Sequence, residues 1–228
     1  MVTVSQPFIT VPPLENGDHL SRSEFEQRYQ AMAQHCKAEL IEGIVFMASP
    51  VRARNHGKPH AAIMGWLFSY WQATPGIELL DNPTVRLDAV NEPQPDACLR
   101  IETSVGGRSR ITEDDYVEGA PELVVEIAAS SASYDLHSKK QVYCRNGVQE
   151  YLVWRVLDHA LDWFVLDDGQ YVPLLAHSDG FLKSQIFPGL WLADTDLLSG
   201  NLARVVSVLQ LGLESAEYQA FLRSLVVD

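Results

Sequence analysis

Apolar positions along the chain gather into a few strongly patterned stretches, the clearest being residues 121–155. Within it, Leu123, Val124, Val125, Ile127 and Ala128 make an apolar run broken only by Glu126, which reads as a buried strand. A short polar loop follows, then a basic helix carrying Lys139, Lys140, Tyr143 and Arg145, a terminating Gly147 and a second apolar strand. Upstream, Ser23 with Glu26 three residues on forms a capping box and predicts a helix to about His35. Residues 39–49 are apolar and β-branched around Glu42-Gly43, a pattern shared by one long bent strand and a tight hairpin. A basic loop at 52–57 leads into a helix from about Pro59, whose Ile63, Trp66, Leu67, Tyr70 and Trp71 form a core-facing stripe. Short strands are expected at 77–80, 84–87 and 93–101, the last with Asp96 near its start. Residues 103–117, rich in Gly, Ser and charge, read as a surface loop. Runs at 160–166 and 170–175 flank Asp167-Asp168-Gly169, a hairpin signal, and the tail from Asp194 holds amphipathic helices near 202–209 and 215–225. Two acids side by side in that hairpin turn are read as a solvated turn rather than a metal site.

This order predicts a mixed α/β (α+β) sheet with helices on its faces, in which the central strand–helix–strand unit makes at least one strand pair parallel. With no repeat, low-complexity run or linker, 228 residues fit one domain: an arm at 1–20, a core at 21–193 and a helical tail at 194–228. An apolar fraction of 46% and a charged fraction of 21% are those of an ordinary globular protein. No stretch approaches the roughly 18 apolar residues of a membrane span, and the N-terminus lacks signal-peptide character, so no membrane partner and a cytoplasmic location are expected. Cys36, Cys98 and Cys144 have neither zinc nor disulfide spacing.

A net charge of −13 argues against broad affinity for nucleic acid. Its distribution changes the picture. Residues 158–228 hold 10 acids and 3 bases, whereas Arg52, Arg54 and Lys58 stand without an acid between them and residues 100–110 lean basic. A locally positive groove on an acidic protein is one reading; unrelated solvated loops are the other.

An acid inside a core strand has a desolvation cost, so Glu126 needs a partner or a task. Asp96 lies 30 positions earlier, at the start of another strand. Two carboxylates from neighbouring strands make a hard-oxygen site suited to magnesium or manganese, with water in the remaining positions. Lys139, in the first turns of the helix leaving the Glu126 strand, could reach back to position a water or to offset charge on a phosphate. Metal, carboxylates and an ammonium around one water are the parts of phosphodiester hydrolysis. A structural ion pair between Glu126 and a lysine explains the same residues. His56 and His60 have helical ligand spacing, but Pro59 lies between them and no third ligand follows, which favours a helix-start hydrogen bond or phosphate contact over zinc. Ser130, Ser131 and Ser133 lack a nucleophile elbow and read as loop and cap hydroxyls. Tyr143 and Trp154 read as core, and Lys140 as a solvated neighbour of Lys139.

The set Glu-Leu-Ile-Glu-Gly (39–43), His56-Gly57, Pro-Asp-Ala-Cys-Leu (95–99), the run 121–135, Asp135-Leu136-x-x-Lys139-x-x-x-Tyr143 and 146–154 resembles the Uma-type family. That bacterial group is regarded as endonucleases of the PD-(D/E)XK, restriction-endonuclease-like superfamily. The resemblance is firm from about Glu39 to Trp154 and weaker at 187–194. It implies a restriction-endonuclease-like core and a magnesium-dependent (or manganese-dependent) nuclease acting on nucleic acid, with DNA favoured. It assigns Asp96, Glu126 and Glu39 as metal ligands, with Glu42 the competing N-terminal acid, and Lys139 as the catalytic lysine. The usual lysine position holds Ala128, and the loop at 128–133 is one residue shorter than in many relatives, which bears on the reach of Lys139. Enzymes that cut both strands often work as a homodimer. The contrasting expectation is an inactive protein of the same fold serving as an interaction module.

Overall fold

Six strands order the molecule into one mixed sheet, and the residues that matter sit where its two central strands run parallel. The computed structural model describes residues 11–32, 37–48, 50–129 and 131–225; His35, Cys36, Ser49, Ser130 and the first ten positions of the arm lie outside the described residues. In chain order the elements begin with α1 (Arg22–Gln30), β1 (Ala38–Ile41), β2 (Ile44–Met47), α2 (Lys58–Trp71), β3 (Ile77–Asp81), β4 (Val85–Arg86) and β5 (Ala97–Ile101). Next come β6 (Arg110–Ile111), β7 (Val117–Glu118), β8 (Leu123–Ala128), α3 (Ala132–Tyr134), α4 (Lys140–Asn146), β9 (Glu150–Arg155), β10 (Ala160–Asp167) and β11 (Gln170–Pro173). The C-terminal part adds β12 (Leu182–Lys183), β13 (Trp191–Leu192), α5 (Asp194–Ser199), α6 (Leu202–Leu213) and α7 (Ala216–Ser224).

The main sheet runs β11-β10-β9-β8-β5-β3. Within this sheet β8 and β9 pair in parallel, with Glu126 opposite Val153, and the crossover between them is the helical segment from Ala132 to Asn146. Gly147 ends that segment at φ 81, a left-handed value that glycine takes without strain. Strand β8 is buried at every residue, so its two faces read differently only in what they meet. Leu123, Val125 and Ile127 face the layer of α2, α6 and α7, together with Trp66, Leu67, Leu152, Leu209 and Tyr218. Val124 and Ala128 face the α4 side, with Tyr143, Tyr151 and Phe164. By the two-residue period of a strand, Glu126 belongs to that second face. A third cluster, Leu14, Phe25, Ala38, Leu40 and Val45, holds α1 against the β1–β2 hairpin.

Several local expectations shift. The α1 cap is Ser21, whose extended backbone lets its hydroxyl accept from the Glu24 amide, so the helix is capped two residues earlier than Ser23. Residues 38–47 form the tight hairpin, with Glu42 and Gly43 at φ 55 and 75 in its two-residue turn. The basic stretch Ala53–Gly57 is a π-helical turn, closed by the Gly57 amide on the Arg52 carbonyl at 3.1 Å. Residues 103–117 are more ordered than a surface loop: β6 and β7 join β4 in a small three-stranded sheet.

Candidate active site

The β1–β2 hairpin, the approach to β5, strand β8 and the crossover helix bring Glu39, Asp96, Glu126 and Lys139 together. Glu39 is presented by a hairpin that is pinned at several points. Leu40 and Glu92 exchange both backbone hydrogen bonds, the Gly43 amide donates to the Val90 carbonyl, and the Glu42 amide donates to Asn91 Oδ1 at 2.7 Å. The Glu39 carboxylate then accepts from the Gln94 amide at 2.7 Å. Glu42 itself stands in the turn and pairs with Arg145 at 3.4 Å, away from Lys139.

Asp96 is tied to β8 directly: its Oδ2 accepts from the Ile127 amide at 2.7 Å. Asp96, one residue ahead of β5, is therefore held beside β8 at the residue next to Glu126. Its Oδ1 lies 3.0 Å from His56 Nε2, and His60 Nε2 lies 3.0 Å from the Asp96 carbonyl and 3.1 Å from Asp81 Oδ1. The π-turn before α2 makes the first contact, by turning His56 toward β5 one turn before His60. His56 Nδ1 is buried without a hydrogen-bond partner among the described residues. Burial would raise the Asp96 carboxyl, but the His56 hydrogen bond and charge and the Ile127 amide outweigh it and hold Asp96 below the ordinary range.

A second π-turn, Asp135–Lys139, carries the lysine. Such turns are rare and recur at functional sites. Here it aims Lys139, 3% exposed, at Glu126 Oε1 (2.7 Å) and Glu39 Oε1 (2.8 Å), with Asp135 Oδ1 at 3.9 Å. The shortened loop thus does not keep the lysine from the cluster. Tyr143 donates to Glu126 Oε1 at 2.9 Å. Burial alone would lower the Lys139 ammonium; Glu126, Glu39 and Asp135 reverse that and hold it well above the ordinary lysine range. Burial pushes Glu126 well up, against Lys139, and Asp135, Asp96 and Glu39 add to the rise. Three carboxylates facing one ammonium, with Asp96 beside them on His56, leave excess negative charge, which a shared proton or a cation would balance. Asp96 held down and Glu126 pushed up are the unequal carboxylate pair that acid–base chemistry needs.

Asp135 is the member to which the sequence assigns no role, whereas Tyr143 reads there as core and His56 as a helix-start hydrogen bond or phosphate contact; all three lie inside the motifs quoted above. The two basic segments fare differently. Arg52, Arg54 and Lys58 are exposed beside His56, but Arg100 is 3% exposed and bound to Glu78 and Ser109. Arg108 donates to the Gly147 carbonyl and Arg110 pairs with Glu118. The Asp167–Gly169 turn stands on the β10–β11 hairpin at the sheet edge, and Lys140 lies over the Phe164 ring at 3.4 Å.

Residues 22–195 match the model of the Uma2 family, described as "Putative restriction endonuclease". The chain belongs to the Uma2 family. Among solved structures, a "putative nuclease belonging to DUF820" from Anabaena variabilis ATCC 29413 superposes with a TM-score of 0.58 at 12% identity. The match covers 76% of this chain and 96% of that one, and at such identity it speaks to the fold. No curated protein matches the chain. Uma2 membership supports a nuclease-like function, and restriction-endonuclease-like families generally use divalent metals. No described helix is long and apolar enough to cross a membrane.

The donor chemistry fits a hard divalent cation. Asp96 and Glu126 offer carboxylate oxygens within an uncompensated negative cluster. Among the described residues no three His, Cys, Asp or Glu side chains converge on one metal position.

Proposed function

We propose that this Uma2 protein is a metal-dependent endonuclease that hydrolyses phosphodiester bonds of nucleic acid, with DNA the favoured substrate. The observation that carries it is the Lys139 ammonium at 2.7 and 2.8 Å from Glu126 and Glu39, beside an Asp96 held ionised by His56 and the Ile127 amide. Asp96 and Glu126 would hold magnesium or manganese, with Glu39 completing the shell directly or through water. Bound there, the metal would offset phosphate charge and make its water more acidic. Lys139 stays protonated in these surroundings, so its role is electrostatic, at the phosphate, rather than that of a general base. His56 and the Ile127 amide orient Asp96, and Tyr143 orients Glu126. The exposed Arg52, Arg54 and Lys58 would take backbone phosphates, contacts that position a strand without reading its sequence. Residues from 21 onward act as one folding unit in this reading, with α6 and α7 packed on the sheet. Cleavage of both strands would call for two sites, which a homodimer in the cytoplasm would supply.

A second reading has an observation of its own. Lys139 already bridges Glu39 and Glu126, which is what a structural ion-pair network in an inactive interaction module would look like. A manganese titration with short duplex DNA present separates the two, run on the wild type, Asp96→Asn and Glu126→Gln. Saturable binding lost in both variants, with their folds retained, supports the nuclease. Absence of binding in the wild type, with loss of stability in the variants, sinks it in favour of the network.

A further inference from the structure

Two tyrosine hydroxyls are buried against the carboxylate cluster, and their surroundings differ. Tyr143 donates to Glu126 at 2.9 Å. Tyr134, the last residue of α3, has its hydroxyl oxygen shielded from solvent with no hydrogen-bond partner among the described residues. Its ring is well held. Phe46, from the hairpin that presents Glu39, packs on it at 4.2 Å between ring centres, and Lys139 Nζ lies 5.8 Å from the ring centre on its other neighbour element. Burial first, then the charge of Glu39, raises the hydroxyl pKa, so the group remains a proton donor.

A shielded hydroxyl without an acceptor is a cost that folded proteins seldom carry. Phenylalanine would fill the same space without it. The position next to Lys139 suggests what the oxygen is for. A neutral phenol near Glu39, Glu126, Asp135 and the Lys139 ammonium is a poorer ligand for a hard cation than the carboxylates themselves, and what it offers instead is a proton to donate. It suits an acceptor oxygen arriving from outside, and the non-bridging oxygens of a phosphodiester are acceptors that a neighbouring ammonium also attracts.

We propose that Tyr134 is a catalytic residue of this site, its hydroxyl donating to a non-bridging oxygen of the scissile phosphodiester alongside Lys139. The proposal rests on the nuclease reading above. A donor fixed in advance at that oxygen stabilises charge as it grows in the transition state.

The test compares Tyr134→Phe with Tyr143→Phe in the full chain, by thermal unfolding and by manganese-dependent cleavage of a labelled duplex DNA. Tyr143→Phe removes a made hydrogen bond and is expected to melt lower. Tyr134→Phe is expected to melt at the wild-type temperature or above it, while cleavage slows about 10- to 100-fold, the range of a hydrogen bond to a charged group. That opposition of signs is what a merely structural role would not produce. Unchanged cleavage by Tyr134→Phe beside an active wild type overturns the assignment and leaves the nuclease reading standing. Melting of Tyr134→Phe as low as Tyr143→Phe also overturns it, because the hydroxyl would then have a structural acceptor. A wild type that cleaves neither duplex nor single-stranded DNA or RNA removes the nuclease reading and this proposal with it.

Discussion

Replacing Lys139 by Met is the most informative perturbation of the cluster, because its size can be worked out and depends on pH in a defined way. Met keeps most of the buried stem, so the loss is electrostatic: one ammonium at 2.7 and 2.8 Å from two carboxylates, 3% exposed. Removing one partner of a buried pair typically destabilises by about 3–5 kcal/mol. The alternative open to the variant is to bind an extra proton, and that proton falls on Glu126, the carboxyl that burial and its acidic neighbours already push well up. Keeping a carboxyl neutral that would ionise at its ordinary value of 4.5 costs about 1.4 kcal/mol per pH unit, hence about 5 kcal/mol at about pH 8 and about 1.4 kcal/mol at about pH 5.5. Urea unfolding followed by tryptophan fluorescence should therefore show Lys139→Met losing about 3–5 kcal/mol at the higher pH and about 1–2 kcal/mol at the lower. Adding Glu126→Gln should restore most of the loss at the higher pH, since the double variant no longer needs the proton. Equal losses at both pH values, or no rescue by Glu126→Gln, would refute the picture of Lys139 as the counter-charge of the cluster.

Other consequences are open to measurement. Glu92, behind the hairpin, is pushed up to about 8 by burial, with the Glu26 carboxyl adding to the rise and Arg86 and Arg22 opposing it. Its folded-state value lies above its unfolded one, so its contribution is fully present below about pH 4.5 and is lost as pH rises through about 8. Glu92→Gln should match the wild type in acid and exceed it by on the order of 2 kcal/mol above about pH 8, part of the possible gain being lost with the Arg86 pair; identical pH profiles would contradict this. Arg54→Ala should lower the salt dependence of nucleic-acid binding by about one unit of slope without changing the melting temperature. Arg100→Ala should do the reverse, melting lower by the cost of an unpaired buried Glu78 while leaving the salt slope alone. If Arg100→Ala flattens the slope instead, the buried assignment of Arg100 fails.

Much of the chain declares itself through rules that act over a few residues. Asp168-Gly169 announces its turn because positive φ values suit Asp and Gly better than most residues, and the β10–β11 hairpin forms there. The run 123–128 is a core strand because nothing in it but Glu126 tolerates water, and Gly147 stops the crossover helix with a left-handed residue. The α2 stripe of Ile63, Trp66, Leu67 and Tyr70 is buried as its spacing requires. In each case the cause lies within one or two turns of chain, so the sequence suffices.

The cluster itself was decided elsewhere. Whether Glu39 or Glu42 meets Lys139 depends on how the hairpin docks on residues 90–94, contacts some 50 positions away in sequence. His56 reaches Asp96, and Lys139 reaches Glu126, because a π-turn inserts one extra residue per turn just before each helix, a change in phase too small to leave a mark on hydrophobic period. Arg100 looks like its basic neighbours in the sequence, yet β5 buries it between β3 and β8, where Glu78 and Ser109 receive it. Tyr143 reads as core and is core, but its hydroxyl end is polar and finds Glu126 only once the crossover helix lies over β8. Local patterns carry the energy of single elements; the pairing of charges carries the energy of their packing, and that exists only when the sheet and its helices have come together.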